Sequence, residues 1–151
     1  MRRLADRLGI QAPSLYKHLP DKRSLETALI AAGFEEWGDA FRAAAVQQDP
    51  LPALVSAYRE FAHAHPHLYR LMTERPLDRD RLPAGLEETT AAPVVAAAGG
   101  DGDLARAMWA FAHGMTILEL DRRFPPDADL DAAWQRGLDA FRSVKPRRNG
   151  D

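Results

Sequence analysis

Residues 1–26, MRRLADRLGIQAPSLYKHLPDKRSLE, decide how the rest of the chain is read. Leu4, Ala5 and Leu8 put apolar groups one turn apart, so 2–8 reads as a short amphipathic helix. Gly9 stops it, because glycine takes the left-handed turn conformation without steric cost, and Ile10 drops back into the core. A second short helix starts near Ala12, with Pro13 in its first turn, where a missing N–H costs little. Leu15 and Leu19 form its apolar stripe, Pro20 ends it, and Asp21 is a suitable cap for a third helix. Two short helices, a glycine turn and the small Ala5 at their crossing make a helix-turn-helix.

With Leu15 and Leu19 inward, Gln11, Ala12, Ser14, Tyr16, Lys17 and His18 hold the outer and flanking surfaces. An amide, a hydroxyl, a phenol, an ammonium and an imidazole are groups that meet base edges and phosphates. Arg2 and Arg3 flank them, and Lys22 and Arg23 open the next helix. Residues 1–23 carry six cations against two carboxylates, a formal +4, whereas the whole chain is −2. The positive charge therefore sits on the one segment suited to a polyanion, which is the footprint duplex binding needs.

The stretch LADRLGIQAPSLYKHLPDKRSLETAL resembles the helix-turn-helix of the TetR/AcrR family of transcriptional regulators, through LAxxLG, the LYxHL block, Asp21-Lys22 and Leu25. YREFAHAHPHLYRLMTERP (58–76) resembles a recurring segment of TetR regulatory domains. Trp109-x-x-x-His113-Gly114 with Leu118-Glu119 resembles the Trp-His-Gly type of C-terminal domain. The resemblance implies that Tyr16 and Lys22 contact phosphates, that Gln11, Ser14, Lys17 and His18 touch base edges, and that Arg2, Arg3, Ala12 and Pro13 lie at the same surface. It also implies a palindromic double-stranded DNA operator, a homodimer and a cytoplasmic, nucleoid-associated bacterial protein. Family members carry a further helix before this point. Met1 falls where the family has the residue just before the first helix of the motif, so either an internal methionine mistaken for the initiator or a truncated form is expected.

Composition bounds the rest. Of the 151 residues 46% are hydrophobic, enough for a core, and 28% are charged, ordinary for a water-soluble chain. With no cysteine there is no disulfide, thiol nucleophile or cysteine-held metal. No apolar run reaches the ~20 residues of a membrane span, and no apolar stretch follows the basic start as in a signal peptide.

After the motif the periodicity predicts helices over 24–46, 51–64, 67–73, 84–98 (with a break possible at Pro93), 104–124, and from Leu130 to about 143. Residues 75–83 read as an exposed loop, and no strand pattern occurs. The fold class is therefore all-α: a DNA-binding segment and connecting helix over 1–46, a regulatory and dimerisation domain over 47–144, and a disordered tail over 145–151.

His63-x-His65-x-His67 invites a metal reading. Residues two apart diverge on a helix, and Pro66 breaks the geometry, so no metal and no cofactor are expected. Ser14 and His18 lack an orienting third group, and no glycine-rich phosphate loop is present, so no enzyme is expected. Tyr58, Phe61, Tyr69, Met72, Trp109, His113 and Met115 are candidates to line a pocket for a small apolar ligand. Core packing explains the same residues equally well, and His113 reads first as a hydrogen-bonded structural imidazole. Helix 104–124 is apolar on two faces, and the last helix carries Leu130, Trp134, Gly137, Leu138 and Phe141. Together with Leu118 these form the expected interface of a four-helix dimer bundle. The expected function is a ligand-released DNA-binding repressor. The alternative is a ligand-binding or interaction module that lost DNA binding through the truncation.

Overall fold

The computed structural model describes residues 21–145, which form six α-helices and one 3₁₀ turn, with no strand among the described residues. Helix α1 spans Lys22–Ala45, and Asp21 caps it by accepting the Ser24 N–H at 2.7 Å. Helices α2 (Pro50–Ala64) and α3 (Pro66–Thr73) each carry proline in the first turn, where its missing N–H has no helical acceptor anyway. Pro66 cannot extend α2, so the chain bends at His65 and starts again. The charged connection after α3 contains the 3₁₀ turn Arg79–Arg81. Helices α4 (Leu86–Ala97), α5 (Gly102–Leu120) and α6 (Leu130–Ser143) complete the body. Asp101 and Asp129 cap α5 and α6 with their carboxylates.

Helix α1 lies against α2, α3 and α4, while α5 packs on α2, α4 and α6. The core forms where these surfaces meet. Trp37 of α1 is its centre, 4.6 Å from the Tyr58 ring, stacked on Phe61 at 5.3 Å and edge-on to Tyr69 at 6.1 Å. Helices α1 and α3 come close because Gly33 has no side chain. A Cβ there would stand 2.5 Å from the Met72 sulfur.

Two expectations need correction. Helix α4 is not broken at Pro93. An interior proline removes one ladder bond at about 3 kcal/mol, but here tertiary contacts hold the helix. Val94 packs into the core, and Thr90 donates its hydroxyl hydrogen to the Phe34 carbonyl at 3.1 Å. Helix α4 runs through Pro93 to Ala97 and is closed off by Gly99, whose φ of 68° lets Gly99 and Gly100 bond back to Ala96 and Val95.

Helix α5 stops at Leu120, four residues before the expected end at Phe124. Arg122 adopts φ 52°, and the N–H groups of Arg122 and Arg123 close on the carbonyls of Glu119 and Leu118. A left-handed cap of this kind is seldom built on arginine, so the pattern gave no warning.

Within the single chain α5 buries one line, Ala105, Met108, Ala112 and Thr116. On the first half of α1, Ala28, Leu29 and Ala32 are exposed.

Candidate ligand cavity

A cavity of about 480 Å³ lies between α1, α2, α4 and α5. Its walls are apolar: Phe34, Trp37 and Phe41 from α1, Leu54, Val55 and Tyr58 from α2, Val94 and Val95 from α4, and Ala105, Met108, Trp109 and Ala112 from α5. Met72 and Leu77 close one end. The arginines Arg75, Arg79 and Arg106 are mostly exposed and mark its opening to solvent. They are paired with Glu26, Glu87 and Asp103 respectively. Space of this size and polarity is what a small, mainly apolar molecule needs.

The seven candidate pocket residues divide. Tyr58, Met72 and Trp109 line the cavity. Phe61 is buried in the core around Trp37, and Tyr69, His113 and Met115 lie behind the wall. Tyr69 and His113 nevertheless connect to it. The Tyr58 and Tyr69 hydroxyls are 2.9 Å apart, and the Tyr69 hydroxyl is 2.7 Å from His113 Nδ1. Burial holds the His113 pKa below its ordinary value, with Glu74 acting weakly the other way. The neutral ring shares a hydrogen bond with the Tyr69 hydroxyl through Nδ1, and Tyr69 shares a second with Tyr58. Burial also raises both phenols, Tyr69 to about 12 and Tyr58 further, so both keep their hydrogens. The result is a chain of hydrogen bonds from the cavity wall to His113.

On the other side of α2 and α5 the interior is filled with charge. Glu119, with its side chain 3% exposed, accepts from Arg59 Nε at 2.8 Å and lies 2.9 Å from His63 Nε2. It also accepts from the Trp134 indole N–H. Burial pushes its carboxyl up, but the donors Trp134, Arg59 and His63 and the Arg59 charge outweigh that and hold it below the usual range. Arg59 extends to Asp131 at 2.7 Å and lies over the Trp134 ring. One buried carboxylate thus ties α2, α5 and α6 together. Sequence reading missed it, because its partners lie 56, 60 and 15 residues away.

Trp134 and Leu138, assigned from sequence to a partner chain, are each 4% exposed and belong to the chain's own interior. Gly137 permits close approach, but to Phe111 of the same chain: a Cβ there would stand 2.1 Å from Phe111 Cζ. Phe141 packs edge-on against that ring at 5.6 Å, and Leu130 is half-buried. The stripe is used up because α6 closes over α5 within one chain. Leu118 is different, 40% exposed on the outer face of α5. The histidines do not converge: His63 faces Glu119, and His65 faces Glu36 at 3.0 Å. No group of His, Asp and Glu suited to a metal occurs among the described residues. Nor is any helix among them long and apolar enough to cross a membrane.

Of the DNA-contact candidates, Lys22 is in the first turn of α1, exposed and 3.3 Å from Glu26. Arg2, Arg3, Gln11, Ala12, Pro13, Ser14, Tyr16, Lys17 and His18 lie outside the described residues, as do 146–151 of the tail.

Comparison with known proteins fits this architecture. Residues 51–141, from the start of α2 to the end of α6, match the tetracyclin repressor-like C-terminal domain. The chain belongs to the TetR family. An uncharacterised HTH-type transcriptional regulator of Mycobacterium tuberculosis is 32% identical over 143 residues, 87% of this chain. The match spans 65% of that relative's length, so this chain covers just under two thirds of it. A crystal structure of a protein described as regulatory superposes with a TM-score of 0.74 at 26% identity, covering 93% of this chain and 83% of that one. A Rhodococcus protein of unknown function superposes with a TM-score of 0.68 at 25% identity, covering 93% and 81%.

Proposed function

We propose that the chain is a DNA-binding transcriptional regulator of the TetR type, acting as a homodimer whose grip on a palindromic operator is released by a small apolar ligand. The observation that carries DNA binding is the identity to an HTH-type regulator over 87% of the chain, together with the basic 1–23 segment. The cavity supports the ligand. It touches α1, the helix that continues directly from the basic segment, so a ligand that spreads α1 from α4 would turn the two DNA-binding segments of a dimer relative to each other.

The dimer face is the outer line of α5 rather than the stripe of α6. Ala107, Ala110, Gly114 and Leu118 follow each other at helical spacing, and Ala107, Ala110 and Leu118 are exposed. A Cβ on Gly114 would meet nothing within 4 Å, which leaves room for a second helix to approach closely.

Fluorescence anisotropy with the DNA flanking the gene, on this chain and on one extended upstream, tests the reading. Saturable, salt-sensitive binding by either chain is the expected result. Lys22→Ala should reduce the salt slope by about one unit. No binding by either at low salt would leave only the ligand module. Leu118→Glu should convert the dimer to monomer in sedimentation; an unmodified chain that sediments as a monomer at micromolar concentration would end the two-headed scheme.

A further inference from the structure

The charged groups that line the cavity are unevenly divided. Among the described residues they are Arg75, Arg79 and Arg106 against the carboxylate of Glu87. Glu26 and Asp103, the partners of Arg75 and Arg106, stand off the wall and do not line it. The three arginine side chains are 66%, 69% and 75% exposed, so all can be reached at the opening. The other polar side chains of the wall, Tyr58, Thr73 and Thr90, carry no charge.

The three cations are held with different firmness. Arg79 meets Glu87 in a fork, with Nε 2.8 Å from Oε2 and Nη2 3.2 Å from Oε1. Arg106 bonds to Asp103, one turn back on its own helix. Arg75, two residues before the Leu77 that closes one end of the cavity, is held loosely. Its guanidinium stands 3.6 Å from Glu26, beyond hydrogen-bond distance, and the same Glu26 oxygen is 3.3 Å from Lys22. Glu26 thus serves two cations and keeps Lys22 when Arg75 turns to another partner. Exposed pairs of this kind contribute little, so the exchange costs little.

From this we infer that the ligand, resting on the proposed cavity reading, is an amphiphile: an apolar body inside the cavity and a carboxylate at its opening, held by Arg75. A guanidinium offers two parallel donors that match the two oxygens of a carboxylate. An uncharged molecule of the same shape would fill the space and leave the arginines to their present partners. A cationic head would meet three arginines of its own sign.

Decanoate, decan-1-ol and decylammonium share one tail and differ in the charge of the head, so they serve as probes below the concentrations at which they form micelles. Isothermal titration calorimetry of the full chain at low ionic strength should find decanoate about threefold to tenfold tighter than decan-1-ol, and decylammonium weakest. Raising the ionic strength should narrow the gap, because the opening faces solvent. Arg75→Gln should remove most of the decanoate advantage and change decan-1-ol by less than about twofold. Arg136→Gln, which takes the same charge from the exposed side of α6, should preserve the advantage. If decan-1-ol binds as tightly as decanoate, or Arg75→Gln leaves the advantage intact, the pairing of a carboxylate with Arg75 is wrong while the cavity reading stands. If none of the three probes binds the unmodified chain, the cavity reading fails and this inference with it. The comparison of heads on the unmodified chain needs no substitution, so it decides whether the ligand is anionic even if Arg75→Gln does not fold.

Discussion

Helices α2 and α5 have an interior on each side, and the two interiors are built on opposite principles. Toward α6, Glu119 gathers Arg59, His63 and Trp134, and Phe111 is pressed onto Gly137. Toward α1 and α4, apolar side chains line about 480 Å³ that no side chain fills. The first space is specified by directional bonds and contact at the limit of van der Waals approach. The second forgoes the dispersion that packing would give it. An end that must stay fixed while the other adjusts to a guest would be built in this way. The contrast yields tests in which the two sides should respond differently.

Glu119→Ala should have the largest effect. It leaves the Trp134 donor without its acceptor and takes one of two carboxylates from Arg59, which keeps Asp131, and the loss of several hydrogen bonds to one charged group should cost about 2–4 kcal/mol. A melting temperature lowered by less than a few degrees would show that the corner is solvated in practice and the contrast false. Next, Gly137→Ala should destabilise by about 1–3 kcal/mol through overpacking, since the Phe111 ring, packed edge-on against Trp134 and Phe141, must shift to admit the methyl group. Gly114→Ala, with open space around it, should change single-chain stability far less. Similar losses for the two, in melts at concentrations below dimerisation, would contradict the packing described.

Acid should act in a graded way. The Glu119 carboxyl lies below its ordinary 4.5 in the fold, so its contribution is full above that value and drains as pH falls through the lowered one. His113, held below its ordinary 6.5, acts in the same direction at higher pH, its contribution being complete above 6.5 and shrinking as pH falls toward the lowered value. Denaturant titrations from pH 7 to pH 3 should show a shallow loss below 6.5 in the unmodified chain, absent in His113→Gln. Persistence of that loss in His113→Gln would move the titration elsewhere. The smallest effect on stability belongs to the hollow side. Ala105→Leu adds bulk into the cavity and should change stability by about 1 kcal/mol or less, in either direction. The same substitution should abolish binding of a small apolar probe such as n-butylbenzene, since it occupies the space the probe would take. A large destabilisation there would mean that the wall around Ala105 is packed tight and the space does not admit the added atoms.

Element boundaries were legible because they depend on local chemistry. Asp21 and Asp129 announced their caps, and His65-Pro66 announced the break between α2 and α3. What failed locally was the pair of exceptions: proline inside α4, held by Thr90 and Val94 against elements distant in sequence, and arginine in the left-handed turn after α5. The use of each apolar face was not legible. The 3–4 spacing of Trp134, Leu138 and Phe141 says that something covers that stripe, and it reads the same whether the cover is the same chain or a second one. The cavity was half legible for a similar reason. Tyr58, Met72 and Trp109 were identified as apolar and clustered, but the α1 and α4 walls, Trp37 above all, required the packing of four helices to be known.

The turn after α5 carries a consequence for how much stability this sequence has left unused. Arg122 sits in left-handed backbone, where an L side chain costs roughly 1–2 kcal/mol and glycine costs almost nothing. Glycine at 122 would keep both closing bonds and relieve that crowding, so the molecule has a reserve that a single codon could release. The position faces solvent and lies apart from the cavity wall. A chain weakened by substitutions in its hollow side, as one retuned to a new ligand would be, could recover its footing there without disturbing what it had gained.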